Sequence, residues 1–466
     1  MLLGGCALQP AYQRPALPLP AAWSNADTGA PQQADAGDWW KRLNDPAVDQ
    51  LVSAGLTDNP TLAEAAARVD LAQAALGVAD AGKSPALGVA AGTARSRDPA
   101  GTATTRQSKA DIGATLSWEI DLWGRVRANS AAARYRLTAR TAEAGAARLS
   151  VAADIADAVL ALRACNLLLA IRDRDIASRE TELEISRARL SLGSIAPVRL
   201  ATAESNLASA RTDRIAQAES CARLVDALVA LTGVEAAAVR RALQQTDDLD
   251  AQLPEPPPFV PELPATVLLG HPSVIAAERE VAARWSDIAV ARAERLPRLD
   301  LAAALTGQWV RALGSSATLI SGSVGGGLSG PLLDGGAGAA NVRGAEAAYR
   351  EAVAQLTGAV RAAARDVEDG LAARDSADQR IETTVAALAA AQFAMQADEA
   401  RWRAGAIAQY EREESRRQFN RSQESVIVAA ADRARAWVML VRRTGTVADL
   451  TVAASGQARL ADGGSL

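Results

Sequence analysis

The chain has 466 residues, with 50 basic and 54 acidic side chains, a formal net charge of −4, and a composition that is 49% hydrophobic but only 3% aromatic. Near-balanced charge without a basic patch argues against nucleic acid as a partner. No window approaches the roughly 18–20 uninterrupted apolar residues of a spanning helix, so any membrane crossing must use strands.

Leu3-Gly4-Gly5-Cys6 near the N-terminus fits a bacterial lipoprotein box, in which Cys6 takes the lipid. A secretion signal needs a longer apolar run than the five residues before Cys6. Residues 1–5 therefore read as a signal-peptide remnant, with the true translation start open. Residues 6–57 read as a lipidated arm, Pro-rich at first, followed by a short helix packed through Trp39-Trp40.

Beyond the arm the chain is duplicated. Pro60 and Pro272, Pro85 and Pro297, Gly124 and Gly336, and Gly193 and Gly405 are all 212 positions apart. Four landmarks at one offset mark two copies of one unit. The first repeat spans 58–242 and the second 265–445, joined by an acidic, Pro-rich linker at 243–264 and followed by a Gly-rich tail at 446–466.

Each repeat opens with a short helix; in the first, Leu62, Ala65, Val69, Ala72, Leu76 and Ala79 recur at helical spacing until Gly82 and Pro85. Two strands follow, about 86–95 and 110–122. In the second of these Ile112, Ala114, Leu116, Trp118, Ile120 and Leu122 alternate with Asp111, Gly113, Thr115, Ser117, Glu119 and Asp121, the pattern of a barrel strand. A half-buried strand of a soluble sheet has the same period. Between the strands, Ser96 to Ser108 reads as an exposed loop. The second repeat offers strands at about 298–310 and 317–330. Trp118, Trp123 and Trp309, near strand ends, suit a membrane interface, and ordinary packing suits them as well.

Long helices follow at about 125–192 and 197–232, and again at about 336–404 and 408–443. A helix of about 68 residues spans about 100 Å, far beyond a globular domain. Folded back at Gly193 or Gly405, such helices make coiled-coil arms. Cys165 and Cys221 each lie 28 residues from Gly193, one on either side, so a hairpin brings them level. A disulfide would suit an oxidising compartment; two buried free thiols are the alternative.

The fold class that results is mainly α with a small β part, in two tandem repeats of two strands and one helical hairpin. Four strands cannot close a barrel, and open edges are forbidden in lipid. The deficit is met if several chains share one barrel; three protomers, a homotrimer, would give twelve strands, with the helices as a tube beneath them, an α-helical barrel. His271, the only histidine, opens a helix beside Pro272. With no His partner, no metal-spaced cluster and no phosphate loop, no catalytic, cofactor or metal site is expected, and the protein is not expected to be an enzyme.

These residues resemble the outer-membrane efflux protein family, the TolC-like factors, and within it the lipidated OprM/NodT branch. The likeness is carried by Leu3-Gly4-Gly5-Cys6 with Tyr12-Gln13-Arg14-Pro15, by Trp39-Trp40, by Asn59-Pro60 and by Trp118 to Arg125. Pro331 to Gly336 and Ala345 to Tyr349 carry it in the second copy. The resemblance implies a trimeric, passive exit duct, lipid-anchored in the bacterial outer membrane and reaching into the periplasm. It implies a periplasmic adaptor and a proton-driven inner-membrane pump as partners, and drugs or other toxic small molecules as cargo. The turns at Gly193-Ser194 and Gly405-Ala406 are similar to the family's adaptor-docking turns, and Tyr410, Glu411, Glu414 and Arg417 match its periplasmic gate. The family commonly has Asp where this chain has Glu411 and Glu414. On the residues alone, Glu411, Glu414 and Arg417 share one helical face, which by itself reads as a solvated charged face; the resemblance turns it toward a gate. Two rival functions stay open: the exit duct of a type I protein secretion system, and a soluble helical scaffold.

Overall fold

The fold is described from a computed structural model, for residues 11–25, 37–100, 103–244, 253–258, 262–312 and 315–445. A 3-10 turn at Trp39–Leu43 precedes helices α1 (Pro46–Asp58) and α2 (Pro60–Ala81). Strands β1 (Ala86–Ala100) and β2 (Ala103–Ile120) lead into α3 (Arg125–Ser191) and α4 (Pro197–Thr232). Short helices α5 (Ala236–Gln244) and α6 (Pro264–Gly270) flank the linker. The second copy comprises α7 (Pro272–Ala293), β3 (Arg298–Ala312), β4 (Ser315–Ser329), α8 (Ala337–Arg403) and α9 (Gln409–Thr444).

Five pairs of elements, α2/α7, β1/β3, α3/α8 and α4/α9 at both ends and β2/β4 at its start, obey the 212-residue offset. The punctuation explains the agreement. Pro occupies the first turn of α4 and α6, where its missing N–H costs nothing. Asp121 accepts from the N–H groups of Val126 and Arg127, and Asp334 from those of Gly336 and Gly338, so a carboxylate caps α3 and α8 alike.

The chain divides into two compact units, with the division falling within α2, α3, α7 and α8. Unit 1 holds residues 1–17, 67–141 and 275–359. Its sheet runs in the order β1-β2-β3-β4, antiparallel throughout. One face carries Leu87, Val89, Ile112, Leu116, Leu301, Leu305 and Trp309; the other carries Asp111, Thr115, Glu119, Asp300, Thr306 and Gln308. Trp118 donates its indole N–H to the Lys83 carbonyl at 3.1 Å, and Trp123 donates to Pro297 at 2.8 Å. Helix α7 is clasped on two sides. Arg136 of α3 pairs with its Asp287, while the Trp285 ring packs at a tilt against Tyr349 of α8, 5.3 Å between centres. Its repeat counterpart α2 leaves Leu71 and Val78 exposed beside a groove lined with Ala75, Val126, Asn129 and Ala133.

Unit 2 holds residues 18–66, 142–274 and 360–466. Val48, Leu51, Ile155, Leu160, Leu228, Trp437 and Leu440 make its core, and the Trp39 ring lies 5.8 Å from that of Trp437. Asp45 accepts from the N–H groups of Ala47 and Val48 to cap α1 and is held by Arg163. Cys165 and Cys221 form a disulfide between α3 and α4, with Cα atoms 5.7 Å apart.

Three readings need correction. Residues 96–108 are not a loop in the described part: both strands continue through it, to Ala100 and from Ala103. Polar residues on both faces there erase the period-2 signal that a half-buried strand shows. The second strand stops at Ile120, because Asp121 turns away to cap α3. The linker is shorter than 243–264, since α5 and α6 occupy its two ends.

Candidate functional site at the helical tips

Two hairpin turns in unit 2 join α3 to α4 and α8 to α9. Gly193 has φ +68° and Gly405 φ +72°, the left-handed conformation that ends a helix. At the first turn Ser194 N–H bonds to Arg189 O at 2.9 Å; at the second Ala406 N–H bonds to Arg401 O at 2.8 Å. No atom lies within 4 Å of where a Cβ would stand at either glycine, so backbone conformation and not space calls for Gly. Leu192, Val198 and Tyr410 leave apolar surface exposed beside these turns.

The two tips differ in chemistry. At the first, Leu183, Ala203 and Leu207 are buried, with Ile176 and Leu200 against them. The repeat position of Leu200 is Arg412, of Ala201 Glu413, of Thr202 Glu414 and of Ser205 Arg417. The second tip is thus charged where the first is apolar or neutral.

Arg417 is buried and reaches across to α3, where its Nη1 meets Glu182 Oε2 at 2.8 Å. Its Nη2 holds Glu414 Oε2 at 2.8 Å, and Arg421 approaches the other oxygen of Glu414 at 3.7 Å. Burial disfavours the Arg417 cation, but the two carboxylates outweigh it and raise its pKa. Glu414 and Tyr410 are exposed and Glu411 half-buried, so the three acidic and aromatic side chains present unequal surface. Glu411 stands in the first turn of α9, where the helix dipole favours a carboxylate.

Reading the sequence missed the most buried charge of this tip. Glu413 is 1% exposed and accepts from Ser178 Oγ of α3 and from Arg412 Nη2 at 2.6 Å. Arg412 in turn lies 3.9 Å from the centre of the Trp402 ring and 3.9 Å from Glu399. Burial opposes ionisation of Glu413; the Ser178 and Arg412 hydrogen bonds and the neighbouring guanidinium charges win, and its pKa lies below the ordinary value. The available signal was the apolar seam of α9. Stepped back from Val441, Val438, Ala434 and Ala431 by threes and fours, that seam arrives at Arg417 and Glu413.

The other candidate residues lie apart from this tip. Cys6 lies outside the described residues. His271 ends α6, and its Nδ1 sits 2.7 Å from Ser273 Oγ at the start of α7. Among the described residues no three metal-ligating side chains gather, and no helix is long and apolar enough to cross a membrane.

The family model of the outer membrane efflux protein matches residues 51–234 and again 263–446, one match per repeat. The chain belongs to the outer membrane efflux protein family. It is similar to the outer membrane protein OprJ of Pseudomonas aeruginosa, at 30% identity over 404 residues, 84% of this chain and 82% of that one. Among solved structures it resembles a membrane protein from Pseudomonas aeruginosa, at 27% identity and TM-score 0.79, covering 94% and 100% of the two chains. It also shares its fold with the CmeC outer membrane channel of Campylobacter jejuni, at 19% identity and TM-score 0.81, covering 97% and 98%. The tandem-repeat fold of sheet plus long helical hairpins is that of these two structures. This outer membrane efflux protein is an outer-membrane channel component of an efflux system, which sets aside the soluble scaffold.

Proposed function

We propose that three copies of this chain close one barrel and form a passive exit duct, gated at the α8–α9 tip. One observation carries the reading: a four-stranded sheet with apolar and polar faces ends in two unpaired edges, β1 and β4. Lipid does not tolerate such edges, and three protomers supply twelve strands. The contrast between α7 and α2 supports the same count. Helix α7 lies between α3 and α8, whereas α2 and α3 leave an open groove between them. In a closed ring, α8 of the next protomer fills that groove.

In this reading Glu411 and Glu414 become rings of three carboxylates around the axis, locked by Arg417 and narrowed by Tyr410. Such rings attract cations and oppose anions. The turns at Gly193-Ser194 and Gly405-Ala406, with Leu192 and Val198, receive a periplasmic adaptor that links the duct to an inner-membrane pump. Cys6 takes the lipid that anchors the arm. The domain bounds follow the repeats: 6–57 as the arm, 58–242 and 265–445 as the copies. The cargo is small toxic molecules.

The test is the mass and conductance of the full chain purified in detergent. Native mass analysis gives three chains, and planar bilayers show single channels whose conductance rises in the Glu411→Ala/Glu414→Ala variant. A stable single chain without conductance overturns the duct; a conducting trimer indifferent to the double substitution overturns the gate.

A further inference from the structure

The strand register in unit 1 orders the apolar face of the sheet into rows. Leu299 with Ile120 and Leu328 starts the series, followed by Trp118 beside Leu301, then Leu116 beside Ala303, and so on to Ala110 beside Trp309. From Leu299 to Trp309 is about 34 Å of strand, or about 25 Å when tilted, the height of a lipid-facing band. Trp118 and Trp309 thus stand near its two margins, where aromatic girdles lie.

The ladder continues past Trp309. The next row on the same face holds Arg95, Ser108 and Arg311, and the one after it holds Arg97 directly opposite Arg106. All four arginines are exposed, and among the described residues none has an acidic partner. On the opposite face Lys109 has one, Asp111 at 3.7 Å. Like charges directly opposite across a ladder are destabilising unless an anion lies between them. Guanidinium groups match phosphate oxygens in a bidentate fork and hold them through charge-assisted hydrogen bonds.

We propose that Arg95, Arg97, Arg106 and Arg311 form a phosphate-binding belt that takes the headgroups of outer-leaflet lipid. The inference rests on the proposed barrel, in which this face meets lipid. The two rows of the belt sit about 7 and about 14 Å of strand beyond the Trp309 margin, which is headgroup depth and not acyl-chain depth. Threefold repetition places twelve guanidinium groups around the channel rim. The belt fixes the depth of the barrel in the membrane and recruits phosphorylated lipid to its rim.

The full chain in detergent is titrated with lipid A 1,4′-bisphosphate and with the same lipid stripped of phosphate, with bound lipid counted by native mass spectrometry. The wild type prefers the bisphosphate by about tenfold or more, because basic side chains near an anionic surface are each attracted to it. The R95Q/R97Q/R106Q/R311Q variant loses most of that preference. Should it fail to fold, R97Q/R106Q alters only the outermost row and lowers the preference by a smaller factor. Equal binding of both lipids by the wild type, or full preference in the variants, overturns the belt. Displacement of the lipid by millimolar inorganic phosphate overturns the assignment to lipid. Brominated lipid separates this proposal from the barrel beneath it: fluorescence quenching that falls on W309F shows the face in lipid, so a missing phosphate preference then sinks the belt alone. Quenching unchanged by W309F sinks the barrel and the belt together.

Discussion

At the scale of single residues, the α8–α9 tip separates a charge that holds structure from a charge free to act. Glu413 sits in the protein and accepts from Ser178, Gln409 and Arg412, so Glu413→Ala leaves these donors short of an acceptor. Removing one partner of a buried pair costs about 3–5 kcal/mol, and the melting temperature of the variant falls accordingly. Glu414 is exposed, and its loss leaves Arg417 still paired to Glu182. Glu414→Ala therefore costs less than about 1 kcal/mol, and a melting curve close to wild type checks it. Equal losses in the two variants would contradict this division. Acid weakens the fold at two further points. Burial holds the His271 imidazole below its ordinary 6.5, only partly offset by Asp366 and the Arg443 carbonyl. The unfolded chain then binds a proton that the folded one refuses, so this contribution is full above pH 6.5 and fades as pH drops below it. Glu413 acts in the same direction lower down, its contribution present above the ordinary 4.5 and lost as pH falls through its depressed folded value. A melting-temperature series from pH 7 to pH 4 declines throughout, and His271→Asn flattens its upper part.

At the scale of elements, the two hairpins are fastened differently. The first carries the Cys165–Cys221 disulfide and an apolar tip; its repeat positions in the second are Ala377 and Arg433. The second hairpin instead meets α3 through Arg417–Glu182, Ser178–Glu413 and Arg435–Asp157. Cross-linking across 56 residues is worth about 4 kcal/mol in the chain-entropy account. Cys165→Ser therefore lowers the unfolding free energy by that order and the melting temperature with it, and non-reducing peptide maps of the wild type show the two cysteines joined. Alkylation of both thiols without reductant would sink this prediction. At the turns, Gly405→Ala forces a Cβ into the left-handed region for about 1–2 kcal/mol, with no clash to add; a loss much larger than that would reveal a contact at the turn. Most elements were readable from sequence, since Pro and Gly punctuate both copies at one offset. The distal halves of β1 and β2 were not, because polar residues fall at both alternating positions there and leave no period-2 signal.

At the scale of the whole molecule, one chain is an incomplete object. Its sheet has two open edges, and the Leu71–Val78 face of α2 lacks the cover that α7 enjoys. In the proposed trimer sister chains meet both deficits, and the purified protein is expected to run as three chains. Leu71→Glu/Val78→Glu, which buries charge in the subunit groove, shifts the native mass toward single chains. An unchanged trimer would show that α2 lies outside the interface.

The duplication, the helical arms, the turn glycines and the alternating strands were all legible in residue order. Each depends on local backbone preference or on a fixed period, and both are written in neighbouring positions. Which charges of the run from Glu411 to Arg417 go inside was not legible. That outcome rests on what α3 presents more than two hundred residues away, where Ser178 and Glu182 meet Glu413 and Arg417. Pairing of the second strand with the third, which joins the two copies into one sheet, is equally a matter of the folded chain, because no local period records which edges meet.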